Sequence, residues 1–174
     1  MKIWRYWLTE TRTLRCMGES GDPFECDFRV TAGSRISEHE AKERLGALLS
    51  QFENADLGFR LYKTAVGFRL AVEGRRLEPD GPRARTLMGF FNADRLYANL
   101  CVSQKCYRAR LTPKPWRMKM KRYEGGDSWI EEYDRRRKDY AVCKFVCAKG
   151  RRLDSPAIAL HDEKTLCELD LPLA

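Results

Sequence analysis

An α+β fold, an antiparallel sheet with helices packed mainly on one face, is what this sequence predicts, on three observations. Short alternating segments rich in aromatic and β-branched residues read as strands, among them KIWRYWLT, GFRLYK, GFRLAVE and CYRARL. Longer segments with apolar residues every three or four positions read as helices. The two kinds interleave irregularly, as β-β-α-β-β-α-α-β-α-α, and runs of strands with helices between them favour an antiparallel sheet. At 174 residues the chain reads as a single domain, 1–174, with a basic sheet core over 24–122 and a helical C-terminal part over 128–174.

The elements follow in order. Lys2 to Thr9 alternates and reads as a strand. A loop covers Gly18 to Pro23, and Phe24 to Val30 reads as a second strand. Ser37 and Glu40 form a capping box, with Ile36 and Ala41 in the staple positions, so a helix begins there. Ala41, Leu45, Leu48, Leu49 and Phe52 make its apolar face, and it ends near Glu53. Gly58 to Lys63 and Gly67 to Glu73 read as a hairpin turning at Thr64-Ala65-Val66-Gly67. Arg85 to Gln104 is helical in two pieces, with Leu87, Met88 and Phe91 on one apolar face and Leu96, Tyr97, Leu100 and Cys101 on another. Cys106 to Leu111 is a strand with Tyr107, Ala109 and Leu111 on one side and Arg108 and Arg110 on the other. Pro113 and Pro115 end it. Ser128 and Glu131 open a helix expected to run towards Gly150, which suits a left-handed terminal position. Pro156 opens a last helix reaching about Glu168.

The excess charge is concentrated. The chain carries 33 basic and 25 acidic residues, a net of +8. Seven of the basic residues fall within Tyr107 to Arg122 (YRARLTPKPWRMKMKR), which holds no acid. Setting those seven aside leaves 26 basic residues against 25 acidic ones. A near-neutral body with one positive segment points to an anionic partner. Arg108 and Arg110 share a strand face, and Lys114 and Arg117 follow on a proline-stiffened stretch. Trp116 lies between them, and with Tyr107 it is expected to stack on bases. Lys119 extends the run. A second anion-binding candidate is the hairpin turn, where Lys63, Thr64 and Arg69 flank a glycine, and the two groups are expected to converge on one surface.

Other chemistry finds less support. The seven cysteines, an odd number without a secretion signal, are expected to be reduced thiols. Cys101 and Cys106 are spaced C-x4-C, and Cys143 and Cys147 C-x3-C, but neither pair forms the tight zinc knuckle, so no metal is expected. His161-Asp162-Glu163 reads as a solvated helix surface, because adjacent helical residues do not share a face. No complete catalytic motif and no cofactor loop is present, so no cofactor is expected and a binding role is favoured over an enzymatic one. No signal peptide and no stretch of roughly 20 apolar residues appears, so a cytoplasmic protein without a membrane is expected.

The order Phe24-Glu25-Cys26-Asp27-Phe28-Arg29-Val30, then a helix, then Leu61 to Arg69, then Tyr107 to Lys114 resembles the catalytic module of archaeo-eukaryotic primases over about residues 24–114. The resemblance implies an RRM-like core with a nucleic-acid-facing sheet. Asp27 stands alone where that family pairs aspartates, and Arg69 stands at its histidine position, so what is implied is a degenerate, primase-like module. The run YRARLTPKPWR also looks like one found in uncharacterised bacterial proteins.

The expectation is therefore a nucleic-acid-binding protein, for RNA or DNA, that grips phosphates with residues 107–122. Two alternatives stay open. One is a nucleotidyltransferase- or nuclease-related enzyme or relic with Asp27 as its acid. The other is a basic subunit of a larger bacterial or mobile-element complex, meeting an acidic protein.

Overall fold

A computed structural model describes residues 6–8, 13–16, 36–51, 57–73, 77–121, 127–151 and 155–174. Asp27, the segment Phe24 to Val30, the Gly18 to Pro23 loop, Arg122 and the Gly125-Gly126 pair lie outside them. The fold is α+β, with elements β1 (Tyr6–Leu8), β2 (Thr13–Cys16), α1 (Glu38–Gln51), β3 (Gly58–Thr64), β4 (Gly67–Glu73), α2 (Pro82–Phe90), α3 (Arg95–Gln104), β5 (Tyr107–Arg110), a 3-10 turn (Pro115–Met118), α4 (Asp127–Arg136) with a short 3-10 extension (Arg137–Asp139), β6 (Cys143–Gly150) and α5 (Pro156–Thr165).

The strands form two antiparallel three-stranded sheets, ordered β1-β2-β5 and β4-β3-β6. The hairpin is built as its alternation requires, with Thr64 opposite Gly67 and Ala65-Val66 as the turn. Phe59, Leu61, Phe68, Leu70 and Val72 project into one core, where they meet Ala41, Leu45 and Leu48 of α1, Ala84, Leu87 and Met88 of α2, and Cys101 of α3. Local signals position these helices. Ser37 Oγ accepts from the Glu40 amide at 3.1 Å, and Asp94 accepts from the Tyr97 amide at 3.1 Å. Leu96, placed on an apolar face by spacing, is 69% exposed.

The opposite face of β3 and β4 carries Tyr62 and Ala71, which pack with Cys143, Ile158 and Cys167 beneath α5. Ser155 caps α5, accepting from the Ala157 amide at 3.1 Å, and Pro156 follows at the first helical position.

The C-terminal part is not all helical. The helix expected to reach Gly150 ends at Arg136, and Cys143–Gly150 is instead a strand that pairs with β3 along its length. Ser128 lies inside α4, which starts at Asp127. Pairing to an already formed hairpin edge supplies backbone partners that a lone helix end would lack. Gly150 does have a left-handed backbone, φ 77°, but it ends a strand. A Cβ there would lie 2.3 Å from the Leu57 carbonyl oxygen, so only glycine fits. The register slips by one residue between Leu61 and Tyr62, leaving Val146 as a bulge. Cys143 consequently joins the core under α5, whereas Cys147 packs against the other.

Candidate functional site

The basic segment is a ledge with an apolar underside. In β5, Tyr107 and Ala109 are buried and Arg108 and Arg110 are half-buried, as the alternation requires. β5 pairs with β2, setting Arg15 opposite Arg108 and Thr13 opposite Arg110. Beyond β5, Leu111, Thr112 and Pro113 run through the interior, and the Pro113 carbonyl accepts from the Tyr133 hydroxyl at 2.8 Å. Pro115 then starts the 3-10 turn, closed by Arg117 and Met120 amides on the Lys114 and Pro115 carbonyls at 2.9 and 3.0 Å.

After the turn, inward and outward residues alternate. Met118 and Met120 are buried against Tyr133 and Ala174, with Trp129 and Tyr140 alongside. Lys119 and Lys121 are exposed. Trp129 stacks on Tyr133, ring centroids 5.5 Å apart, and donates from Nε1 to the Lys121 carbonyl at 3.1 Å. The ledge is thus pinned from below by side chains of α4. Above it stands Trp116, 65% exposed, with Lys114 Nζ 5.1 Å from its ring centroid. Two of the four acids of α4 are engaged close by in sequence, Glu132 with Arg136 at 2.9 Å and Asp134 with Arg137 at 2.8 Å. Among the described residues, Arg108, Lys119 and Lys121 form no ion pair.

Four of the residues expected to bind an anion do not join this ledge. Tyr107 is wholly buried and donates its hydroxyl to the Leu77 carbonyl at 3.1 Å, so it cannot stack on a base. The periodicity that turns Arg108 outward turns Tyr107 inward. Arg69 is only 6% exposed and is committed internally. Lys63 lies on the α1 side of the hairpin, near enough to Glu38 to help hold that carboxyl down, after the larger contribution from Lys42. Strand alternation puts Arg69 on the other side. Thr64 Oγ1 is buried and makes no hydrogen bond. Lys63 and Arg69 therefore leave the hairpin on opposite faces, and of the two only Arg69 reaches the basic strand, where it donates inward to the Arg110 carbonyl at 3.1 Å.

A second constellation was hidden in the sequence. His161, expected on a solvated helix surface, is 2% exposed. Its Nε2 lies 2.7 Å from Arg69 Nη1, and its Nδ1 lies 2.9 Å from Asp162 Oδ1. The same carboxylate oxygen accepts from the Tyr62 hydroxyl at 2.7 Å, and Oδ2 pairs with Arg60 Nη2 at 2.8 Å. Arg60 also lies over the Phe145 ring, 4.3 Å from its centroid, and reaches Glu168 at 3.3 Å. Burial pushes the Asp162 carboxyl up, but hydrogen bonds from His161 and Tyr62 and the charge of Arg60 outweigh it and hold the group below the usual carboxylate range. The Cys167 thiol, buried beside Asp162 and Cys143, is pushed up to about 12 and is no nucleophile at neutral pH. A cavity of about 650 Å³ opens outside this cluster, lined by Arg60, Asp162, Glu163, Glu168 and the apolar residues Ile158 and Leu166. Its Arg60 and Asp162 are paired with each other, which makes the cluster a fastening between α5 and the sheet.

Three of the four cysteines in the C-x4-C and C-x3-C pairs are divided between two layers, and the fourth, Cys106, is buried just ahead of β5. Cys101 and Cys147 line the core under α1 to α3, and Cys143 lies under α5. Among the described residues, no three His, Cys, Asp or Glu side chains gather as metal ligands, and no helix is long and apolar enough to cross a membrane. Comparison with protein-family models, with curated proteins and with solved structures finds no match.

Proposed function

We propose that this protein binds nucleic acid along the ledge from Arg108 to Lys121, through the backbone and without sequence readout. The observation that carries this reading is Trp116, a large indole left two-thirds in water on a turn whose neighbours are locked in place. An aromatic held rigidly outward among cations is the arrangement that lets a base stack while phosphates are neutralised. Lys119 and Lys121 support it, because the buried Met118 and Met120 that alternate with them fix the direction in which both cations point. Stacking needs an open base face, which favours single strands over duplex.

Filter binding with single-stranded and duplex RNA and DNA, at several salt concentrations, tests the proposal. About five phosphate contacts would give a log–log salt slope of roughly −3.5 on single strands and −4.5 on duplex. Single strands should be retained better than duplex. Loss of all retention at low salt would defeat the reading and leave an acidic protein surface as the partner of the same ledge.

A further inference from the structure

We propose that His161 is a proton-operated latch joining α5 to the basic strand. The inference does not depend on what the ledge binds. Arg69 stays charged at any physiological pH, so its guanidinium nitrogens only donate. With Arg69 Nη1 2.7 Å away, His161 Nε2 must accept, and the imidazole is neutral with its proton on Nδ1, facing Asp162. The same Nη1 donates to the Arg110 carbonyl at 3.1 Å. One nitrogen therefore ties α5 to the end of β5.

Among the described residues, the sheet and α5 both set groups around the imidazole. β4 contributes Arg69. β3 contributes Tyr62, its ring centroid 4.8 Å away, and Arg60 behind Asp162. α5 contributes Asp162, with Cys167 of the trailing turn and Cys143 of β6 behind that carboxylate and Glu168 on the far side of Arg60. A proton on Nε2 would set two donors and two positive charges at hydrogen-bond distance. Asp162 attracts the added charge from the Nδ1 side but cannot take the place of the lost acceptor. The contact has to open, which releases Arg69 from α5. In an unfolded chain an imidazole titrates near about pH 6.5. Below that, the unfolded state binds one more proton than the latched state, and stability falls as pH falls.

The chain has two histidines, and the other, His39, is 82% exposed on α1 beside Glu43, so His161 is the one enclosed by the fold. Nitrogen-15 NMR of both imidazoles from about pH 8 to pH 5 is the decisive measurement. His161 should show the Nδ1–H tautomer and stay neutral while the latch is closed. Urea unfolding over the same range should show the wild-type folding constant falling up to about tenfold per pH unit, one proton's worth. His161→Gln, which keeps an amide oxygen for Arg69 and cannot titrate, should lose that slope. The proposal is overturned if the His161 imidazole gains a proton with no loss of folding stability, if its proton sits on Nε2, or if His161→Gln keeps the wild-type slope. Should that variant fail to fold, the wild-type imidazole titration decides alone.

Discussion

Arg69 Nη1 and His161 Nε2 meet at 2.7 Å, both side chains buried, from positions 92 residues apart in the chain. With the Arg110 carbonyl at 3.1 Å on the same nitrogen, the arginine satisfies two acceptors, one of them buried. Each acceptor left without a donor costs about 1–3 kcal/mol. Arg69→Met keeps the length of the side chain and removes the donors. It should lower stability by about 2–5 kcal/mol, read as a drop in the urea midpoint at unchanged m-value. A loss under about 1 kcal/mol would mean that the contact is incidental.

Trp116 offers the converse case. Its ring is mostly in water, so Trp116→Ala should change stability by no more than about 0.5 kcal/mol. Affinity for single-stranded oligonucleotide should fall about 5- to 150-fold, the equivalent of roughly 1–3 kcal/mol for one stacked base. Quenching of the wild-type indole fluorescence on binding gives an independent check. Equal affinity for wild type and variant would remove stacking from the account.

Lys119 and Lys121 should act through charge alone. The double variant Lys119→Ala with Lys121→Ala should fold normally, because both side chains are exposed. If each touches one phosphate of a single strand, the log–log salt slope should become shallower by about 1.4. An unchanged slope would place the phosphates elsewhere on the protein.

Asp162 sets the acid limit of the fold. Its carboxyl titrates below the usual range in the folded state, despite burial, because His161, Tyr62 and Arg60 favour the anion. A depressed carboxylate contributes stability that is complete above the unfolded value of about 3.9 and is lost as pH falls through the folded value. Asp162→Asn should therefore be less stable than wild type at neutral pH, with the gap closing below about pH 4. Parallel urea titrations at both pH values test this, and a gap that widens in acid would reverse the assignment.

How much of this was legible in the sequence depends on how local the signal was. α1 and the β3–β4 hairpin could be placed to within a residue or two, since the capping serine, the apolar spacing and the strict alternation all lie within the elements themselves. β6 escaped because its pairing with β3 is distant in the chain and its bulge breaks the alternation. Its Lys144, Phe145 and Val146 then read as a continuation of the preceding helix. The buried role of His161 was equally invisible from its neighbours Asp162 and Glu163. One clue was present, however. Arg60 and Arg69 each sit between large apolar residues in the middle of their strands, and a cation at such a position calls for an acceptor from elsewhere in the fold. Tyr107 carried its own correction, since the face it shares with Ala109 and Leu111 is an inward one.

The bulge at Val146 has a consequence for how β6 tolerates change in length. The strand supplies side chains to one apolar layer before it and to another after it, and that extra residue supplies the half-step between the two. Losing Val146 itself would keep Phe145 opposite Tyr62 and Cys147 opposite Leu61, but deleting a paired position on either side would slide its neighbours onto the opposite faces. A protein engineer shortening this region would do better to trim a connecting loop, where losing one residue does not exchange oil-facing atoms for water-facing ones.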